Sequence, residues 1–311
     1  MKVWLFFLPA PLDKIKSITM KSLASTLLPI FLSSIIFSCA TLNKKEAGAV
    51  DRNNSSAAEI TETPDKVLKS AAEELSASPR HHEWVTLEHG KREFNAFVVY
   101  PETKGPTKSI IVIHENRGLN DWARLFADKL AAEGYLVIAP DLISNTRDKR
   151  RTTDFENPDA ARDAIYALEP QQVTADLDAA FKYIKNDPSS TGEVAVVGFC
   201  WGGSQTFRYA TNNPEISSAH VFYGTAPDEA EKFRKITAPV YGYYGEDDNR
   251  VNSTIQQTKE FMEAAGNTYE VVIYKGAGHA FMGRAHQPDP SAANIAAHDA
   301  AWQRLLNLLK P

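Results

Sequence analysis

Cys200 lies in the run Gly198-Phe199-Cys200-Trp201-Gly202-Gly203. The pattern G-x-C-x-G, closing an apolar strand and opening a helix, is that of a nucleophile elbow with cysteine in the place of serine. A strand that turns so sharply into a helix holds its apex residue in strained dihedrals. Glycines two residues to either side remove the Cβ atoms that would collide. The thiol then stands at the carboxyl edge of a sheet and at the positive end of a helix, a placement expected to lower its pKa. A buried structural cysteine at such a junction would look the same in isolation, so its partners decide. Carboxylates follow in Gly245-Glu246-Asp247-Asp248-Asn249-Arg250-Val251, and an imidazole in Gly276-Ala277-Gly278-His279-Ala280-Phe281. Each run comes directly after a strand-like segment. A thiol, a carboxylate and a histidine in that chain order can perform acyl transfer. The thiol attacks a carbonyl, the imidazole moves protons and the carboxylate orients the imidazole. Asp248, three residues before Val251, is the preferred orienting group, and Asp247 is the alternative.

The elements that must position these groups alternate between strand and helix. Residues 83–89 and 93–100 have strand composition around a turn at Gly90 and predict an antiparallel pair. The continuous β-branched run 109–114 predicts a strand buried on both faces. Further strands are expected at 135–140, 193–199, 218–224, 239–245 and 269–274. Helical spacing occupies 121–133, 159–168, 171–186, 202–211, 253–265 and 292–309. Helix-length connections between buried strands imply crossovers and a mostly parallel sheet. The expected architecture is α/β: a single doubly wound sheet of about eight strands with helices on both faces. The order nucleophile, acid, histidine is that of the α/β-hydrolase fold.

With Ile113-His114-Glu115-Asn116-Arg117-Gly118 added to these motifs, the chain from about residue 83 to 310 resembles the dienelactone hydrolase (carboxymethylenebutenolidase) family. The resemblance implies hydrolysis of a small ester or lactone through a thioester acyl-enzyme, without cofactor or metal. It implies that Glu115 touches the resting cysteine, a coupling that keeps a nucleophile quiet until substrate arrives. A helix-capping or ion-paired carboxylate is the plainer alternative for Glu115. The oxyanion hole would be the backbone N–H groups of Trp201 and Asn116. Arg117 and His114 flank that loop. Arg284 follows His279 near the place where family members acting on dienelactone carry an arginine for the substrate carboxylate. Trp122 and Trp201 are candidates for the pocket wall, although aromatic side chains near a site are more often packing. The basic run Arg147, Lys149, Arg150, Arg151 is expected to be solvated rather than to grip an anion.

The 311 residues are 43% hydrophobic and 23% charged, with a net charge of −5, which suits a globular chain. A mean hydropathy of −0.33 excludes a multispan membrane protein. No basic excess points to nucleic acid. Two cysteines, Cys39 and Cys200, cannot build a disulfide framework, and the eight histidines are too scattered to predict a zinc site. Residues 23–37 form an apolar run that is short for a membrane span but right for the core of a signal peptide. Ile36-Phe37-Ser38-Cys39 resembles a bacterial lipobox, departing from it at Phe37. The expected organisation is a lipoprotein-type signal over 1–38, with Met20 as a candidate start. A polar tether with a short helix near 65–77 would fill 39–80, and the hydrolase-like domain 81–311. Lipidated at Cys39, the protein would be exported and membrane-anchored or periplasmic; a plain secretory signal or an uncleaved anchor are the alternatives. Two other functions compete: an exported non-catalytic binding lipoprotein on the same fold, and a peroxide-reacting thiol protein. Nothing in the sequence indicates an oligomeric state.

Overall fold

The computed structural model describes residues 70–310. The expected signal over 1–38, Cys39 and the tether up to residue 69 lie outside the described residues. The first element is α1 (Ala71–Ser76). Ser70 Oγ accepts from the Glu73 amide, and the Glu73 carboxylate accepts from the Ser70 amide, which satisfies two otherwise orphaned donors. Leu75 buries its side chain in the core. The following chain is pinned to Asp128, which accepts from Ser78 Oγ at 2.6 Å and Arg80 Nε at 2.8 Å and lies 2.8 Å from His82 Nε2. The expected tether therefore ends sooner than residue 80. The apolar face of α1 finds a partner, and residues 71–80 belong to the folded part.

Strands β1 (His81–His89) and β2 (Arg92–Tyr100) pair antiparallel across Gly90, whose φ of +59° suits a residue without a Cβ. The chain continues through β3 (Thr107–Ile113), α2 (Asp121–Ala132) and β4 (Leu136–Asp141). A 3₁₀ turn (Thr152–Asp154), α3 (Pro158–Tyr166) and α4 (Pro170–Lys185) lead to β5 (Ser190–Phe199) and α5 (Trp201–Ala210). Then come β6 (Ser218–Phe222), α6 (Ala230–Phe233), β7 (Val240–Gly245), α7 (Asn249–Asn252) and α8 (Ile255–Ala264). The last elements are β8 (Tyr269–Tyr274), α9 (Phe281–Arg284) and α10 (Ala292–Leu309). Among the described residues one sheet has eight strands in the order β1-β2-β4-β3-β5-β6-β7-β8. Only β2 runs against its neighbours; every other pairing is parallel.

Period-2 alternation divides the central strands between two cores. Ile110 and Val112 of β3, with Val197 and Phe199 of β5, face the layer of α1, α2 and α10. Ile111 and Ile113, with Val194 and Val196, face α4, α5 and α8. Each such side chain is worth about 1.5–3 kcal/mol when fully buried, which is why the strands read as continuous apolar runs. Side chains set the helix starts. Asn120 Oδ1 accepts from the Ala123 amide at 3.0 Å, and Ser291 Oγ from the Asn294 amide at 3.2 Å. The carboxyl ends of β3, β5, β7 and β8 reach one edge of the sheet, where the chemistry-bearing loops gather. The short helices α6, α7 and α9 were not expected, because four residues carry no readable period.

Candidate active site

Cys200 stands between β5 and α5 with φ 55° and ψ −116°, a left-handed conformation costly for a residue with a side chain. The glycines make the turn possible. A Cβ on Gly198 would lie 2.2 Å from the Gly202 carbonyl oxygen, and one on Gly202 would lie 2.3 Å from that of His114. The elbow therefore needs both, and the second lets α5 approach the end of β3.

His279, between β8 and α9, brings Nε2 to 3.1 Å from Cys200 Sγ. Its Nδ1 is 2.5 Å from Asp248 Oδ2. A carboxylate only accepts, so Nδ1 carries the proton and Nε2 presents its lone pair to the thiol. Asp248 is buried at the start of α7, where its Oδ1 also accepts from the Val251 amide at 3.4 Å. Asp247 is exposed and engages through its backbone, donating to the Ala277 carbonyl. Of the two, it is Asp248 whose carboxylate meets His279.

The backbone N–H groups of Trp201 and Asn116 both favour a charged sulfur at Cys200, as does the guanidinium of Arg250 on α7. Burial opposes them most strongly, followed by the nearby charge of Glu115, and the thiol is pushed up to about 11. The helix start alone was expected to lower it; desolvation outweighs that effect. Glu115 itself is raised to about 7, chiefly by burial, while the Tyr223 hydroxyl and the charges of Arg284 and Arg117 act the other way. Tyr223 donates to Glu115 Oε1 at 3.1 Å. Among the described residues no hydrogen bond joins Glu115 to Cys200, so the expected contact is an influence of charge, with the thiol turned to His279 instead.

The remaining candidates divide. Arg284 lines a cleft of about 310 Å³ together with Glu115, Arg117 and Trp122. Arg117 lies at the surface and donates to Asp159 at 2.7 Å. Trp122 belongs both to that cleft and to the packing against Phe199, edge-on at 5.1 Å. The Trp201 ring stacks on the fully buried His114, whose Nδ1 donates to the Glu115 carbonyl at 2.8 Å. The basic run lies largely at the surface, as expected: Arg147 and Arg150 are exposed, Lys149 pairs with Glu156 at 2.6 Å, Arg147 donates to the Asp163 carbonyl, and Arg151 covers the Trp84 ring at 4.1 Å. Sequence reasoning missed Tyr223 and Arg250. Tyr223, inside the strand expected over 218–224, lies just past β6 and so at the sheet edge that carries the other groups. Among the described residues no group of three or more His, Cys, Asp or Glu could hold a metal ion.

A thiol, a base with its orienting acid, and two convergent backbone donors compose a site able to attack a carbonyl and hold the resulting oxyanion. Comparison with known proteins gives the family. A family model described as the dienelactone hydrolase family matches residues 94–311. A protein of Escherichia coli K12, provisionally named carboxymethylenebutenolidase, is 27% identical over 264 residues, covering 82% of this chain and 91% of that one. One of the same provisional name from Yersinia pestis is 30% identical over 227 residues, covering 69% and 82%. A crystal structure from Klebsiella pneumoniae, provisionally called a dienelactone hydrolase, superposes with a TM-score of 0.65 at 26% identity, covering 74% of this chain and 98% of that one.

Proposed function

The chain belongs to the dienelactone hydrolase family and is a hydrolase of ester or lactone bonds, and from that premise we propose that it works through a Cys200–His279–Asp248 triad. The observation that carries this reading is the alignment of Sγ, Nε2, Nδ1 and Oδ2 at 3.1 and 2.5 Å. His279 Nε2 takes the thiol proton as sulfur attacks the carbonyl carbon. The oxyanion sits between the amides of Trp201 and Asn116. Collapse of the tetrahedral adduct returns that proton to the leaving alkoxide, which departs as the alcohol or, in a lactone, stays attached to the acyl group. Water, deprotonated by His279, then splits the thioester and regenerates the thiol. Asp248 keeps Nδ1 protonated and stabilises the imidazolium.

Glu115 governs the thiol rather than the acyl chemistry. Burial first, and the charge of Glu115 after it, raise the thiol pKa, so the resting nucleophile is held protonated until the proton passes to His279. The same proposal extends to the N-terminus: residues 1–38 are an export signal and Cys39 carries lipid, which supplies the membrane attachment. A non-catalytic binding role finds no support in a site with every acyl-transfer group in register. The test is turnover of a chromogenic ester. Iodoacetamide should modify Cys200 and abolish hydrolysis, and Cys200→Ala should lose several orders of magnitude in rate while remaining folded. Near-wild-type turnover by the alanine variant would sink the reading.

A further inference from the structure

Beside the cleft that holds Glu115 and Arg284 runs a largely apolar trough that the chemistry above does not use. One face of α2 forms its floor: Trp122, Leu125, Phe126 and Ala132 are spaced as a helical stripe. Trp302 of α10 forms its far wall, edge-on to Phe126 at 5.4 Å. His286 and His298 close the rim, their Nε2 atoms 3.2 Å apart. The cavity measures about 280 Å³. Trp122, Leu125 and His286 line both the trough and the cleft that holds Glu115 and Arg284. Trp122 also packs against Phe199, the residue before the nucleophile. The trough therefore shares wall residues with the cleft beside Glu115, and through Trp122 it borders the strand end that carries Cys200. It runs back along α2 to Ala132, about 15 Å for ten residues.

Resting on the hydrolase reading above, we propose that this trough receives an apolar arm of the substrate, so that the preferred substrates are esters or lactones bearing an extended aliphatic or aryl group. Two adjacent cavities that share Trp122, Leu125 and His286, one lined by Glu115, Arg117 and Arg284 and the other walled mainly by aromatic and aliphatic side chains with Lys129 and Glu133 among them, match a molecule with a polar reacting end and an apolar arm. Free choice of small unsubstituted esters would leave the aromatic walls wet. Filling them with carbon removes that apolar surface from water, worth about fourfold in specificity per buried methylene.

Two ester series provide the test: p-nitrophenyl alkanoates from acetate to decanoate, which lengthen the acyl side, and alkyl acetates from ethyl to decyl, which lengthen the alcohol side. In at least one series kcat/KM of the wild type should rise tenfold or more with length. Ala132→Trp obstructs the trough at its end on α2, because a helical side chain leans toward the turn before it and so over Lys129, another lining residue. Ala132 is exposed, so the variant should fold. Its long-to-short ratio of kcat/KM should drop at least tenfold relative to wild type. A flat length profile in both series, or one that Ala132→Trp leaves unaltered, overturns the proposal while the hydrolase reading stands. Absence of turnover on every ester, the acetates included, overturns both.

Discussion

In the proposed mechanism Cys200 gains its reactivity from a neighbour, because burial and the charge of Glu115 push its thiol up to about 11. At neutral pH such a sulfur is protonated, so the proposal has the nucleophile made by proton transfer to His279. Glu115→Gln removes the opposing negative charge. The thiol pKa should then fall and iodoacetamide alkylation at neutral pH should quicken severalfold. Slower alkylation with an intact fold would mean that the carboxylate serves as a base toward sulfur. Stability provides a second readout. The folded-state pKa of Glu115 is about 7, above its ordinary 4.5, so its proton is bound more tightly in the folded chain. The stabilisation is complete below pH 4.5 and is lost as pH rises through 7. Glu115→Gln cannot titrate, and its melting temperature should decline less across that window than the wild type's. At this scale the sequence was readable where a motif constrains the backbone. The glycines around Cys200 announce the elbow, and Val251 downstream points to Asp248 over Asp247. Tyr223 was not readable, because a tyrosine after a strand carries no sign that its hydroxyl meets a carboxylate 108 residues earlier.

Positioning of the proposed oxyanion loop belongs to the elements. Asp141, the last residue of β4, is fully buried and accepts twice from Thr152, from its amide and its Oγ1, each at 2.7 Å. Thr152 Oγ1 in turn accepts from the Leu119 amide at 3.0 Å, three residues past Asn116. Gly118 fits beneath the threonine because a Cβ there would lie 2.4 Å from Oγ1. Thr152→Val keeps the bulk but removes the prop. It should lower kcat about tenfold or more while KM changes about twofold or less, since small displacements at reacting atoms are costly. Thr152→Ser should restore most of the rate; equal loss in both variants would show that bulk, not the bond, matters. The strands were legible because burial on both faces leaves only β-branched and aromatic residues. The order of the strands in the sheet, and the bond from residue 119 across to 152, are long-range choices that no local pattern encodes.

For the whole molecule, the N-terminal boundary is where the sequence reading and the structure part. Polar composition suggested a tether to residue 80, yet Leu75 reaches the core at 8% exposure and Asp128 gathers the chain from Ser78 to His82. Leu75→Ala should cost about 2 kcal/mol in urea unfolding; no loss would mean that α1 is only loosely held. Upstream, Cys39→Ala in a bacterial host should move the protein from the membrane fraction to the soluble one. A wild-type protein already soluble, with its N-terminus elsewhere, would contradict the lipid anchor. The central claim, that Cys200 carries the acyl group, is read from whole-protein mass. Wild type mixed with a p-nitrophenyl ester and quenched in acid within the first turnovers should gain one acyl group, mapped to the Cys200 peptide and released by neutral hydroxylamine. An acyl group found on another residue, or turnover without any adduct on Cys200, would contradict the account.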